Sequence, residues 1–114
     1  MRVRGSCHCG AVRFEVEWDR AFTYRCNCSL CKRKGALMGS APKAVFKLVS
    51  GAEMLGLYQW NTAVAEHYFC TKCGIYTHHG RRTNPSLMGF NTGCLEGVDV
   101  SAIPRADVDG ASLS

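Results

Sequence analysis

No stretch of this chain approaches the roughly 18 apolar residues that a membrane-crossing helix needs, so no membrane partner is expected. The opening residues Met1-Arg2-Val3-Arg4-Gly5-Ser6-Cys7 carry no apolar run, and no secretory leader is expected of them. A reducing, cytoplasmic setting is the resulting expectation, and there dense cysteines point to metal more often than to disulfides. Internal repeats are missing apart from paired cysteine motifs, and no shift in composition marks a domain boundary. A single domain over 1–114, with its core at about 5–100, fits the commonest domain size. No strand face interleaves aromatic with basic residues, which argues against a nucleic-acid partner.

What the chain does have is sulfur: eight cysteines, beside 12 glycines. Three of them fall within Cys26-Asn27-Cys28-Ser29-Leu30-Cys31. A Cys-x-Cys-x-x-Cys run is too tight to staple a fold through disulfides among its own members. It suits thiolates converging on one ion, because soft sulfur ligands select zinc, copper(I) or iron–sulfur centres. Three ligands leave a tetrahedral ion one open position, which is how catalytic zinc sites are built. Two further pairs flank the run, Cys7-His8-Cys9-Gly10 and Cys70-Thr71-Lys72-Cys73-Gly74. Seven cysteines can be divided between two ions in several ways, one being a closed site from the two pairs and an open one from the triplet. An iron–sulfur electron carrier would use the same thiols.

The formal charge of +5 and pI near 8.9 follow partly from counting thiols as neutral. Ligating cysteines bind deprotonated, so seven thiolates (−7) with two Zn²⁺ (+4) would bring +5 down to +2. The basic balance then reads as counter-charge to metal sites.

Between the motifs the pattern is mainly β. Val12, Phe14, Val16 and Trp18 alternate with Arg13, Glu15 and Glu17, which predicts a half-buried strand over 11–18. Phe22–Arg25 leads as a second strand into the triple-cysteine run, and Cys28-Ser29 opens a short helix with Ser29 as its cap and Gly35 as its terminator. Residues 35–42 read as a loop or irregular strand. Val45–Val49 is a short apolar segment ended by Ser50-Gly51, and 55–60 and 64–69 read as strands turning at Asn61-Thr62. The second runs into the Cys70–Gly74 knuckle and returns over Ile75–His78. Leu87–Asn91 reads as another strand, and 102–114 has no clear period.

Three segments in this order are similar to the glutathione-dependent formaldehyde-activating enzyme family, which includes the centromere protein V-like proteins. They are Gly5-Ser-Cys-His-Cys-Gly-Ala-Val-Arg-Phe14, Cys26-Asn-Cys-Ser-Leu-Cys-Lys-Arg-Lys-Gly35 and Phe69-Cys-Thr-Lys-Cys-Gly74. The resemblance covers Gly5 to Val100. It implies a mainly β, Mss4-like, zinc-built sheet domain with short helical turns. It also divides the cysteines: Cys7, Cys9, Cys70 and Cys73 as structural zinc ligands, and Cys26, Cys28 and Cys31 as ligands of a second, catalytic zinc. The implied activity is that of a carbon–sulfur lyase run backwards, adding glutathione to formaldehyde to give S-hydroxymethylglutathione. The rival expectation is a zinc-stabilised binding module of the same fold without turnover.

At such an open site Lys32, Arg33, Arg81 and Arg82 are candidates to hold glutathione's carboxylates, arginine through its bidentate fork. The alternative for Lys32-Arg33-Lys34 is a solvated face that complements a helix C-terminus. His8 is expected at the surface or behind the metal ligands, and His67 in a structural role. His78 and His79 are adjacent on a strand, so only one can face a given site, as proton shuttle, extra ligand or packing residue. Cys94, the unpaired eighth cysteine, is expected to be a buried, inert thiol.

Overall fold

The strictest alternation in the sequence becomes the middle of the first of two sheets. In the computed structural model, which describes residues 1–19, 23–26, 29–59, 66–80, 86–103 and 106–108, strand β1 is Arg2–Ser6, β2 Arg13–Glu17 and β3 Thr23–Cys26. Helix α1 is Ser29–Lys34, followed by β4 (Met38–Pro42), β5 (Phe46–Ser50), β6 (Leu55–Tyr58) and β7 (Glu66–Cys70). Strands β8 (Tyr76–Gly80), β9 (Leu87–Asn91) and β10 (Ala106–Val108) complete the described elements. Strand β2 lies between β1 and β5 in a three-stranded antiparallel sheet, and the other seven run in the order β10-β3-β4-β9-β8-β7-β6. Pairing is antiparallel throughout the second sheet except between β10 and β3.

Val12, Phe14 and Val16 are fully buried, and Trp18 is nearly so, each such side chain contributing about 1.5–3 kcal/mol. Phe14, Val16 and Trp18 meet Phe90 and Ala41 of the larger sheet, with Phe46 packed against the same cluster, while Val12 packs with Cys7 and Cys70. Phe14 stacks on Phe46 at 5.1 Å, and Trp18 meets the edge of Phe90 at 5.5 Å. The other face of β2 carries Glu15 and Glu17, whose carboxylates pair with Arg2 at 3.1 and 3.5 Å. Those pairs are exposed and contribute little.

Glycines sit inside strands because aromatic rings lie over them. A Cβ on Gly5 would fall 2.2 Å from the Phe14 ring, on Gly39 2.4 Å from Phe90, and on Gly56 2.3 Å from Phe69. Each glycine is the direct cross-strand partner of that ring. Strand β4 is thus a regular member of the larger sheet, between β3 and β9, although its small residues read equally as a loop. The short helix falls where expected, Gly35 ending it with φ +65° and its N–H on the Cys31 carbonyl. Phe22, Asn61 and Thr62 lie outside the described residues. Strands β1 and β10 have no counterpart in the sequence reading.

Candidate metal centre

Two knuckles of the same design close on one point. In the first, the Cys7 amide bonds the Val12 carbonyl and the Gly10 amide bonds the Cys7 carbonyl. In the second, the Cys70 amide bonds Ile75 and the Gly74 amide bonds Cys70. Gly10 and Gly74 have φ of +82° and +80°, a left-handed backbone that a side chain would strain. The pairing of β7 with β8 and of β1 with β2 brings the two turns face to face, and the Sγ atoms of Cys7, Cys9, Cys70 and Cys73 lie within 4.8 Å of one another.

Cys7 Sγ is 3.6 Å from Cys9 Sγ, and Cys9 Sγ is 3.7 Å from Cys70 Sγ. A disulfide would bring two sulfurs to about 2.05 Å, whereas Zn–S bonds of about 2.3 Å at tetrahedral angles place them about 3.8 Å apart. The donor set and its spacing therefore fit a tetrahedral thiophilic ion. The Val12 amide donates to Cys7 Sγ at 3.3 Å, a bond that favours the thiolate and orients it. Backbone N–H groups of Cys9 and Ile75 likewise hold the Cys73 thiol down, to about 6. For Cys9 the Ala11 amide pulls the same way, but burial and the crowding of Cys7, Cys70 and Cys73 push it up to about 11. A cation resolves that crowding, since four thiolates cannot share the point without one. Val12 and Cys70 are wholly buried, and Leu48, Met54 and Leu55 pack around the cluster.

Of the triple-cysteine run, the two described cysteines fall on other elements. Cys26 ends β3, where it pairs with Val108, and Cys31 lies in α1; both are half-buried. Cys28 lies outside the described residues, as do Arg81 and Arg82. Lys32 and Arg33 are exposed in the last turn of α1, consistent with charges that complement a helix C-terminus.

The histidines separate by face. His8 is exposed. His78 is buried among Phe14, Phe46 and Tyr68, with ring centres at 6.3, 4.9 and 4.8 Å. It shares a 2.8 Å hydrogen bond with the Thr77 hydroxyl, and burial holds it down to about 4. His79 points the other way, onto His67 and the Tyr76 hydroxyl. Burial and then the Lys34 ammonium push His67 down to about 4. This grouping of Lys34, His67, Tyr76 and His79 was not legible in the sequence beyond the two-residue period that puts His67 and His79 in register. Cys94 is buried, its thiol pushed up to about 12 by burial and the nearby Cys7 and Cys73. It is not part of the four-thiol cluster.

Together these features define a mainly β domain whose two cysteine knuckles, far apart in sequence, form one potential metal centre. The chain belongs to the glutathione-dependent formaldehyde-activating enzyme family, which it matches over residues 2–108. It is similar to a Halomonas elongata protein provisionally named a glutathione-dependent formaldehyde-activating enzyme, with 37% identity over 82 residues. That match takes in 64% of this chain and 52% of the relative, so the chain spans about half the length of the curated relative it matches. The fold is also that of a Rhodobacter sphaeroides protein solved by crystallography as a structural-genomics target. There the TM-score is 0.87 at 47% identity, covering 92% of this chain and 98% of the other.

Proposed function

We propose that this chain adds a thiol, glutathione, to formaldehyde at a metal held by Cys26, Cys28 and Cys31. In this reading Cys7, Cys9, Cys70 and Cys73 hold a structural zinc. The observation that supports it is the four-thiol cluster, which accounts for Cys7, Cys9, Cys70 and Cys73 as one ligand set and so favours assigning the other three to a second ion. Family membership supports the same reaction class, a carbon–sulfur lyase working toward addition.

Zinc bound by three thiolates would supply a fourth position at which a thiol is deprotonated at neutral pH. In the addition a carbon–sulfur bond would form between the glutathione sulfur and the formaldehyde carbon, the C=O π pair would move to oxygen, and the proton given up by the thiol would end on that oxygen. The chain's own part is to hold and orient. Cys26 ends β3 and Cys31 lies in α1, so in this reading the set spans the passage from a strand into a helix. Lys32 and Arg33 would meet the carboxylates of glutathione, with Arg81 and Arg82 as further candidates. Their positive charge also offsets the net −1 that three thiolates leave on a divalent ion.

The test is the rate at which ¹³C-formaldehyde and glutathione interconvert with S-hydroxymethylglutathione, followed by NMR exchange with and without protein. The reading expects acceleration over the spontaneous rate that is lost in Cys28→Ala with Cys31→Ala. No acceleration by a protein carrying two zinc ions would favour the binding-module reading.

A further inference from the structure

Helix α1 has six residues, far fewer than an isolated helix needs to persist in water. Its orientation, and with it that of Cys31, must come from what grips it. At its C-terminal end the Arg25 guanidinium donates to the Gly35 carbonyl at 2.7 Å, which ties the helix to β3. A second grip comes from the opposite direction. The Lys34 ammonium lies 3.4 Å from His67 Nδ1 and 3.6 Å from the centre of the Tyr76 ring. An ammonium can only donate, so His67 Nδ1 is the acceptor and its ring is neutral there. The face of Tyr76 adds a cation–π attraction.

This grip is itself braced. His67 and His79 are direct cross-strand partners on β7 and β8, their rings stacked at 5.1 Å and 22°. The Tyr76 hydroxyl is hydrogen-bonded to His79 Nδ1, and His67 and His79 are both buried. Four side chains from three elements thus form one connected set. Lys34 belongs to it from a position three residues after Cys31, on the same side of the helix. The addition reaction as described above uses none of the four.

We propose that Lys34 is a positioning residue for the triple-cysteine site. By locking α1 onto His67 and Tyr76 of the β7–β8 hairpin, it holds Cys31 in place relative to Cys26 and raises the affinity of the site for its metal. The inference rests on the reading of Cys26, Cys28 and Cys31 as metal ligands. Lys32, exposed on the same short helix, measures the charge effect alone: its loss removes one of the charges that offset the site, and only a loss beyond that is assigned to positioning.

The experiment uses zinc-loaded full-length protein and follows release of the second equivalent of zinc to a chromophoric chelator. Retention of the first equivalent and an unchanged melting midpoint report the fold. Lys34→Met, which keeps helix propensity, is expected to weaken the second zinc about 10–100-fold, as loss of groups supporting metal ligands commonly does. Lys32→Met should cost about two- to fivefold at most, the size of a charge effect at a helix end. Lys34→Arg, which keeps the charge, the donor and the cation–π contact, should restore most of the loss. His67→Leu should weaken the site as Lys34→Met does, and the double variant should be no worse than either single one. A Lys34→Met protein that binds its second zinc as Lys32→Met does overturns the inference and leaves the proposed function standing. A parent protein that holds only one zinc overturns both.

Discussion

Cys9 Sγ lies 3.7 Å from Cys70 Sγ across a separation of 61 residues. That contact joins the turn after β1 to the turn between β7 and β8, and so ties together the two sheets on which the core is built. Much of the fold's free energy is accordingly expected to be metal-binding free energy, about 10–16 kcal/mol for structural zinc in small zinc-folded peptides. Treatment with a strong chelator should abolish the cooperative melting transition, and added zinc should restore it. Persistence of a native near-ultraviolet circular dichroism spectrum in chelator would contradict this.

The four thiols should not respond alike to substitution. Cys70 is wholly buried and Cys9 exposed. Replacing either by serine removes a soft ligand, but Cys70→Ser also leaves a hydroxyl in an apolar surrounding, at about 1–3 kcal/mol beyond the ligand loss. Cys9→Ser is therefore expected to melt at the higher temperature of the two, measured by calorimetry in excess zinc. The reverse order would mean that burial does not govern this site.

Gly51 sets how closely β5 approaches the first knuckle. Its φ is +86°, and a Cβ there would fall 2.2 Å from the Ala11 carbonyl oxygen and 2.7 Å from Val12 Cα. Those are backbone atoms of the segment that carries Cys7 and Cys9, so they cannot swing aside. Gly51→Ala should cost about 2–4 kcal/mol from strain and overpacking together, lowering the melting midpoint by on the order of 10 °C. A midpoint within about 2 °C of the parent's would contradict the close approach.

Two buried histidines give stability a defined pH dependence. His67 and His78 are both held down to about 4 in the folded chain, while the unfolded chain takes up protons near 6.5. The unfolded state thus binds more protons between these values, and stability that is complete above about pH 6.5 is lost as the pH falls toward 4. With zinc in excess, the denaturant midpoint of the parent should drop from pH 7 to pH 5. His78→Phe, which fits the ring cluster of Phe14, Phe46 and Tyr68, should drop by less. An equal drop in both proteins would place the pH dependence elsewhere.

Much of the fold was legible because local rules and tertiary demands agree. The alternation from Val12 to Trp18 states which face is buried, and a glycine after each cysteine pair states a left-handed turn. The grouping of Cys7, Cys9, Cys70 and Cys73 came from resemblance, since spacing alone left other divisions open. Strand β1 was missed because its charged Arg2 and Arg4 and small Gly5 and Ser6 give little β signal; it is a strand through pairing with β2 and through burial of Gly5 under Phe14. Strand β10 is three residues that extend beside a parallel partner 82 positions earlier. The link from Lys34 to His67 is likewise a tertiary fact, and a run of three basic residues does not reveal which one turns inward.

The central claim is that two separable thiolate sites exist, one building the fold and one open for chemistry. The most direct test is metal content by native mass spectrometry on protein purified without added zinc, beside a variant carrying Cys28→Ala and Cys31→Ala. The account predicts two zinc ions per chain in the parent and one in a variant that is still folded. One zinc in the parent, unchanged by the substitutions, would contradict it.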